Sequence, residues 1–252
     1  MSLTADAITK QFVKDDSAVV ALREFSLDIE QGSFVTLLGR SGCGKSTLLN
    51  MLAGLTEPSS GEIRYHARRL DGPETSIGYL TQHDTLMPWR DVLRNVEMPL
   101  EIRGTDARQR REIALELIKR VGLSGFEKHY PRELSGGMRR RASLARMLAG
   151  APETLLMDEP FGALDAQLRT ELQEELLRLW QGSGQTVVFV THDIEEALML
   201  GDRVVVLGSL GAILLDREIT LTRPRSADDL RVDPEFVSLH RELAGALKEA
   251  VS

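Results

Sequence analysis

The segment Gly39-Arg40-Ser41-Gly42-Cys43-Gly44-Lys45-Ser46 fits the pattern G-x-x-x-x-G-K-[ST], a set of residue types able to hold a polyphosphate. An apolar run, Phe34 to Leu38, precedes it, and Thr47-Leu48-Leu49-Asn50-Met51-Leu52-Ala53 follows, so the spacing predicts strand, glycine-rich turn and helix. Glycines let successive backbone N–H groups turn toward phosphate oxygens, and the partial positive charge of a helix N-terminus adds to the attraction. The Lys45 ammonium has the reach for β- and γ-phosphates, and the Ser46 hydroxyl can ligate Mg²⁺. Gly39, Arg40, Ser41, Gly42, Cys43, Gly44, Lys45, Ser46 and Thr47 are therefore the candidate phosphate contacts. Cys43 is the only cysteine, which excludes an internal disulfide framework, and its backbone N–H matters more here than its thiol.

Two more segments end or begin in groups suited to the same chemistry. Thr154-Leu155-Leu156-Met157 is an apolar strand closing on Asp158 and Glu159. A carboxylate at the C-terminal edge of such a strand can hold Mg²⁺ beside the phosphate loop, and Glu159 can then polarise an attacking water. The plainer alternative, a strand ending in solvated acids, is disfavoured by the phosphate loop upstream. Leu134-Ser135-Gly136-Gly137-Met138 opens a helix that runs to Ala149. One hydroxyl and bare N–H groups form a second anion cradle there. Two glycines in a first turn are destabilising unless a ligand uses them.

Taken in order, Gly39–Ser46, Gln82, Leu134–Gly137, Asp158-Glu159, Ala163-Leu164-Asp165 and His192 resemble the ATP-binding cassette of ABC transporters, and the resemblance covers nearly the whole chain. It implies an ATPase using ATP and Mg²⁺, with two cassettes pairing head to tail. Each ATP would then lie between the phosphate loop of one copy and Ser135, Gly136 and Gly137 of the other. By position, Asp158 resembles the Mg²⁺ ligand, Glu159 the catalytic base, Gln82 the contact to Mg²⁺ and water, and His192 the switch histidine of the γ-phosphate. Asp165 would lie in the loop that communicates across the dimer. Phe12 resembles the aromatic that stacks on adenine, with a core phenylalanine as the alternative. Met138 departs from the commoner Gln; the motif's anion contacts come from Ser135 and backbone amides, so hydrolysis should survive.

The elements that must position these residues read as one α/β domain over 1–252: a nucleotide-binding core with a parallel sheet and an antiparallel β subdomain (1–82 and 151–225), an inserted helical subdomain (83–150) and a helical tail (226–252). Candidate strands are Ala18–Ile29, broken near Arg23-Glu24, then Ser33–Leu38, Glu62–Tyr65, Ser76–Leu80, Thr154–Met157, Thr186–Thr191, Arg203–Leu207 and Ala212–Leu215. Arg103 to Val121 and Asp165 to Trp180 carry helical spacing, with Asp165 a plausible N-cap, and Asp233 to Ala250 reads as a surface helix. A net charge of −7 argues against nucleic acid as a partner. Arg139-Arg140-Arg141 reads as a solvated face or subunit contact. No stretch approaches the roughly 18 apolar residues of a membrane span, and Met1 to Asp6 has no leader character, predicting a cytoplasmic protein.

About fifty residues between Gln82 and Ser135 leave no room for the long coiled coil of DNA-repair relatives. The stretch from Gln82 through Met87-Pro88-Trp89 to Asn95-Val96 resembles the cassettes of nitrate, sulfonate and taurine importers, and Met138 agrees. That resemblance implies a peripheral subunit on the cytoplasmic face of the membrane. It would dock on transmembrane permease subunits, paired with itself or a paralogous cassette, in a system with a periplasmic or extracellular solute-binding protein. Trp89 either meets the permease or packs under its own loop. The alternatives are a lipid-handling cassette and a regulatory ATPase, the latter disfavoured by the complete hydrolytic set. The tail beyond His192 is too short for an added sensing domain.

Overall fold

The computed structural model describes residues 2–14, 17–83, 85–162, 164–225, 230 and 233–249. Of the residues singled out above, Met1, Asp84, Ala163, most of 226–232 and Ala250 lie outside them.

The centre is a six-stranded sheet in the order β10-β9-β3-β8-β7-β6. Its strands are β3 (Phe34–Gly39), β6 (Ile77–Leu80), β7 (Thr154–Asp158), β8 (Thr186–Thr191), β9 (Arg203–Leu207) and β10 (Ile213–Glu218). All neighbours are parallel except β10 on β9. β3, β7 and β8 are buried at every position, as continuous apolar runs flanked by helices must be. A second, antiparallel sheet has the order β2-β1-β4-β5, from β1 (Leu3–Lys14), β2 (Ser17–Ile29), β4 (Ser60–Tyr65) and β5 (Arg68–Arg69).

Helix α1 (Lys45–Leu52) lies between the two sheets, its Leu48, Leu49, Met51 and Leu52 sharing one core with Ile8, Leu22 and Leu37. A second core joins the far face of the large sheet to α2 (Val92–Ile102), α3 (Ala107–Arg120), α4 (Gly136–Ala149) and α5 (Ala166–Trp180). Helices α6 (Ile194–Leu200) and α7 (Pro234–Glu249) cover β9 in a third.

Three of the differences from the sequence reading have a plain local cause. β2 is not broken at Arg23-Glu24: Glu24 takes φ 47°, and its N–H is caught by the Thr9 hydroxyl at 3.0 Å within a stretch of shifted register. A bulge absorbs the kink, so pairing continues. The helix expected from Arg103 starts at Ala107, because Gly104 sits at φ 74° and Asp106 caps the N–H groups of Arg108 and Gln109. Helix α2 was not expected at all; Pro99 inside it masks the pattern, while Asp91 caps it by accepting from Arg94 N–H at 2.8 Å.

Candidate functional site

Strand register brings the chemistry together. β3, β8, β7 and β6 are adjacent and parallel, so the segments leaving their C-terminal ends converge on one edge, where open α/β sheets bind ligands. Those segments are the loop from Gly39, His192, Asp158-Glu159 and Gln82.

In the loop, Gly42 and Gly44 take φ 85° and 105°. A Cβ on Gly44 would stand 2.7 Å from the Ala21 carbonyl oxygen and 2.9 Å from Leu22 Cδ2, so both handedness and space require glycine there. The loop wraps Lys45, which is 5% exposed, and its Nζ donates to the Gly39 and Arg40 carbonyls at 2.7 and 2.8 Å. The ammonium is thus solvated by main-chain dipoles that phosphate oxygens can replace. Ser41, Gly42, Gly44, Lys45, Ser46 and Thr47 face Gln82 and Glu159 across a cleft of about 230 Å³.

Asp158 is buried at the end of β7 and hydrogen-bonded to the Ser46 hydroxyl. Among the described residues no three His, Cys, Asp or Glu side chains form a protein-only metal cage. A paired hydroxyl and carboxylate suits Mg²⁺, which takes one or two protein oxygens and completes its shell with phosphate and water. Burial raises the Asp158 carboxyl above the usual carboxylate range, against the Ser46 hydrogen bond, while the Glu159 charge raises it further and Lys45 and Arg140 pull it down.

A carboxyl whose pKa is higher in the folded state stabilises the fold only while protonated, and that contribution is lost as pH rises through the folded value. At neutral pH the ionised group is a net cost. Asp158→Asn is therefore expected to raise Tm at neutral pH, by about 2–4 °C per kcal/mol relieved. The gain should vanish in melts repeated at acid pH. A lower Tm at pH 7 would mean the ionised carboxylate holds the site together.

Glu159 follows with φ 43°, a left-handed backbone that is rare for this residue type and costs about 1–3 kcal/mol. Its N–H donates to Val190 O at 3.1 Å, anchoring it to β8. Its Oε2 lies 3.2 Å from His192 Nδ1, so the carboxylate and the imidazole, on neighbouring strand ends, share one contact. The turn after His192 is fixed on both sides. Asp193 N–H donates to the Thr191 hydroxyl and Asp193 caps α6, while the Thr191 hydroxyl and the Gln173 amide both donate to the buried Glu196 carboxyl.

Gln82 and Gly136 line a larger cleft of about 390 Å³ with Arg140, Glu159 and His192. Ser135, beside Gly136 in sequence, caps α4 by accepting from Met138 N–H at 3.2 Å and stays exposed. Asp165 caps α5 through Leu168 N–H at 3.0 Å, as its position predicted. Phe12 stands apart: it is 47% exposed on β1 beneath Lys10 Nζ at 5.2 Å and lines neither cleft. A core role for it is therefore overturned.

Of the two readings of the arginine triple, the solvated face is overturned. Arg139 donates to Leu134 O, Arg141 to Val121 and Gly122 O, and Arg140 is buried and donates into the site itself. Helical phase was the available signal, since position 140 shares a face with the buried Leu144 and Met147.

The loop before α2 is equally constrained. Asn95, buried in α2, accepts from Met87 N–H at 2.8 Å and donates to Met87, Arg90 and Asp91 carbonyls. Arg146 of α4 donates to Thr85 O at 2.8 Å. Held from both ends, the loop projects Trp89, which is 71% exposed.

A family profile described as ABC transporter matches residues 22–162, more than half of the chain. The chain belongs to the ABC transporter family. This cassette is 45% identical, over its whole length and 93% of the relative, to an uncharacterized ABC transporter ATP-binding protein of Methanocaldococcus jannaschii. It is 43% identical to a taurine import ATP-binding protein of Yersinia pestis over 89% of the cassette and 90% of that protein. A nitrate import ATP-binding protein of Synechocystis sp. is 40% identical over 98% and 96%. Among solved structures, a dimeric ATP-binding cassette in a post-hydrolysis state, bound to ADP and Pi, superposes with a TM-score of 0.81 at 33% identity, covering 87% of this cassette and all of that chain. The cassette is thus an ATP-binding ATPase of α/β fold. Among its described residues no helix is long and apolar enough to cross a membrane.

Proposed function

We propose that this cassette is the ATP-hydrolysing subunit of a solute importer of the nitrate, sulfonate or taurine type, acting at the cytoplasmic face of the membrane on separate permease subunits. The observation that carries this reading is the loop from Thr85 to Asp91. A loop pinned by a buried Asn95 with a tryptophan left 71% exposed is built to meet another protein, because Trp is otherwise among the side chains that gain most from burial. Relatives named for taurine and nitrate import support the same class.

Two copies, or one with a paralogous cassette, would pair so that Ser135, Gly136 and Gly137 of one reach the nucleotide on the other, and Asp165 would lie beside that contact. Lys45 and the amides from Gly39 to Thr47 bind the phosphates, and the half-exposed Phe12 ring would stack on the adenine. Ser46, Asp158 and Gln82 would hold Mg²⁺, which would supply positive charge to offset that of the phosphates. Glu159 accepts the proton of the attacking water, oriented by Gln82. His192, whose Nδ1 lies 3.2 Å from Glu159 Oε2, stands beside the γ-phosphate position, an arrangement in which positioning and charge stabilisation supply the rate. A solute-binding protein outside the membrane would deliver the cargo.

The test is affinity capture of tagged Glu159→Gln protein with ATP from its native membranes. Co-purification of a multi-span permease and a solute-binding protein is the expected result, and recovery of soluble partners alone would overturn the importer reading. Adding Trp89→Ala should cut permease recovery at least about 30-fold, the effect of losing a central aromatic anchor, while ATP-dependent dimerisation persists.

A further inference from the structure

Arg140 occupies a position that the catalytic assignments above leave unused. It is 8% exposed on α4, the helix that begins with the Ser135–Gly137 cradle. Its Nε donates to Pro160 O at 2.6 Å, one terminal nitrogen to Asp158 O at 3.2 Å, and the other to Thr81 O and, at 3.4 Å, to Gln82 O. These carbonyls belong to two chain segments that leave adjacent strands, β6 and β7. Asp158 and Pro160 bracket Glu159, the residue held at φ 43°. A single planar guanidinium therefore grips both flanks of the strained Glu159 and the backbone of Gln82, from the helix that begins with the Ser135–Gly137 cradle.

Burying a cation costs several kcal/mol unless dipoles replace its hydration, and here the carbonyls that do so sit on the hydrolytic segments. Strain such as that at Glu159 persists only where surrounding contacts over-determine it. The five N–H donors of arginine lie in one rigid fork, which lysine or glutamine cannot reproduce across two segments.

We infer that Arg140 is a positioning residue for hydrolysis, which ties the helix of Ser135–Gly137 to the backbone on both sides of Glu159 and at Gln82 and so holds the water-activating geometry. The inference rests on the assignment of Glu159 as base. It predicts a loss confined to the chemical step: nucleotide is bound by the phosphate loop, which Arg140 does not touch in any of these contacts.

The experiment compares the full-length chain with its Arg140→Ala and Arg140→Lys variants in steady-state ATPase and nucleotide-binding assays, with Glu159→Gln measured alongside. Arg140→Ala should lower kcat about 10²-fold, the scale of an ångström-level misplacement, with KM and nucleotide Kd within about twofold. Because Arg140 lines the open 390 Å³ cleft, millimolar guanidinium should restore part of the lost kcat, which a merely structural role would not allow. Should Arg140→Ala fail to fold, Arg140→Lys carries the same kcat-against-KM comparison. Unchanged kcat in the folded variants, or a loss of nucleotide binding in step with Tm, would overturn the inference while Glu159→Gln stays inactive. Normal turnover by Glu159→Gln would instead remove the base assignment, and this inference with it.

Discussion

Glu159→Gln is expected to lower ATP turnover by about 10²–10⁴-fold, the contribution of a positioned general base, without weakening ATP binding. The substitution keeps size and hydrogen-bonding capacity but removes the charge that accepts a proton. Asp158 keeps its Ser46 contact and the Glu159 backbone keeps its bond to Val190, while the Asp158 carboxyl loses the neighbouring charge that raises it. The phosphate loop is untouched, so ATP should still bind and hold two cassettes together. Size-exclusion chromatography should then show an ATP-dependent dimer that the wild-type chain, clearing its nucleotide, does not accumulate. Near-normal turnover in this variant would show that the base lies elsewhere. His192, 3.2 Å away, would be the first place to look.

Lys45→Ala should fail differently. The ammonium is buried and already bonded to the Gly39 and Arg40 carbonyls, so its removal deletes the one cation wrapped by the loop. A hydrogen bond to a charged group is worth about 1.5–3 kcal/mol, which corresponds to roughly 10- to 150-fold in nucleotide affinity. Charge on the transferring phosphoryl group also loses a stabilising donor, a further 10²–10³-fold in kcat. Affinity and turnover should fall together in titration and steady-state assays, with no ATP-dependent dimer. Turnover lost at unchanged affinity would limit Lys45 to the transition state.

Set side by side, the two variants separate binding from chemistry, which share one sheet edge but not one set of groups. Met138 sharpens the comparison, because it stands where the family more often has Gln and its side chain packs against the helical core. Ser135 and the exposed amides at the start of α4 are left to do the anion contact.

The chain's local instructions were legible wherever one short segment holds the whole device. Strand, glycine loop and helix from Phe34 to Leu52 follow from neighbouring residues, since φ preferences, apolar runs and helix caps act within a few positions. The same holds for the caps at Ser135 and Asp165 and for the acids closing β7. Family membership and the ATPase activity were readable for that reason: the ordered motifs are each local. Tertiary structure alone decided the rest. Arg140 meets the Thr81 carbonyl 59 residues away, Asn95 is consumed by a loop rather than by its own helix, and Glu159 becomes strained and paired with His192 only because β7 and β8 lie side by side. Burial and partner choice are properties of the packed chain, so three adjacent arginines that look alike in sequence end as two surface ties and one buried clamp.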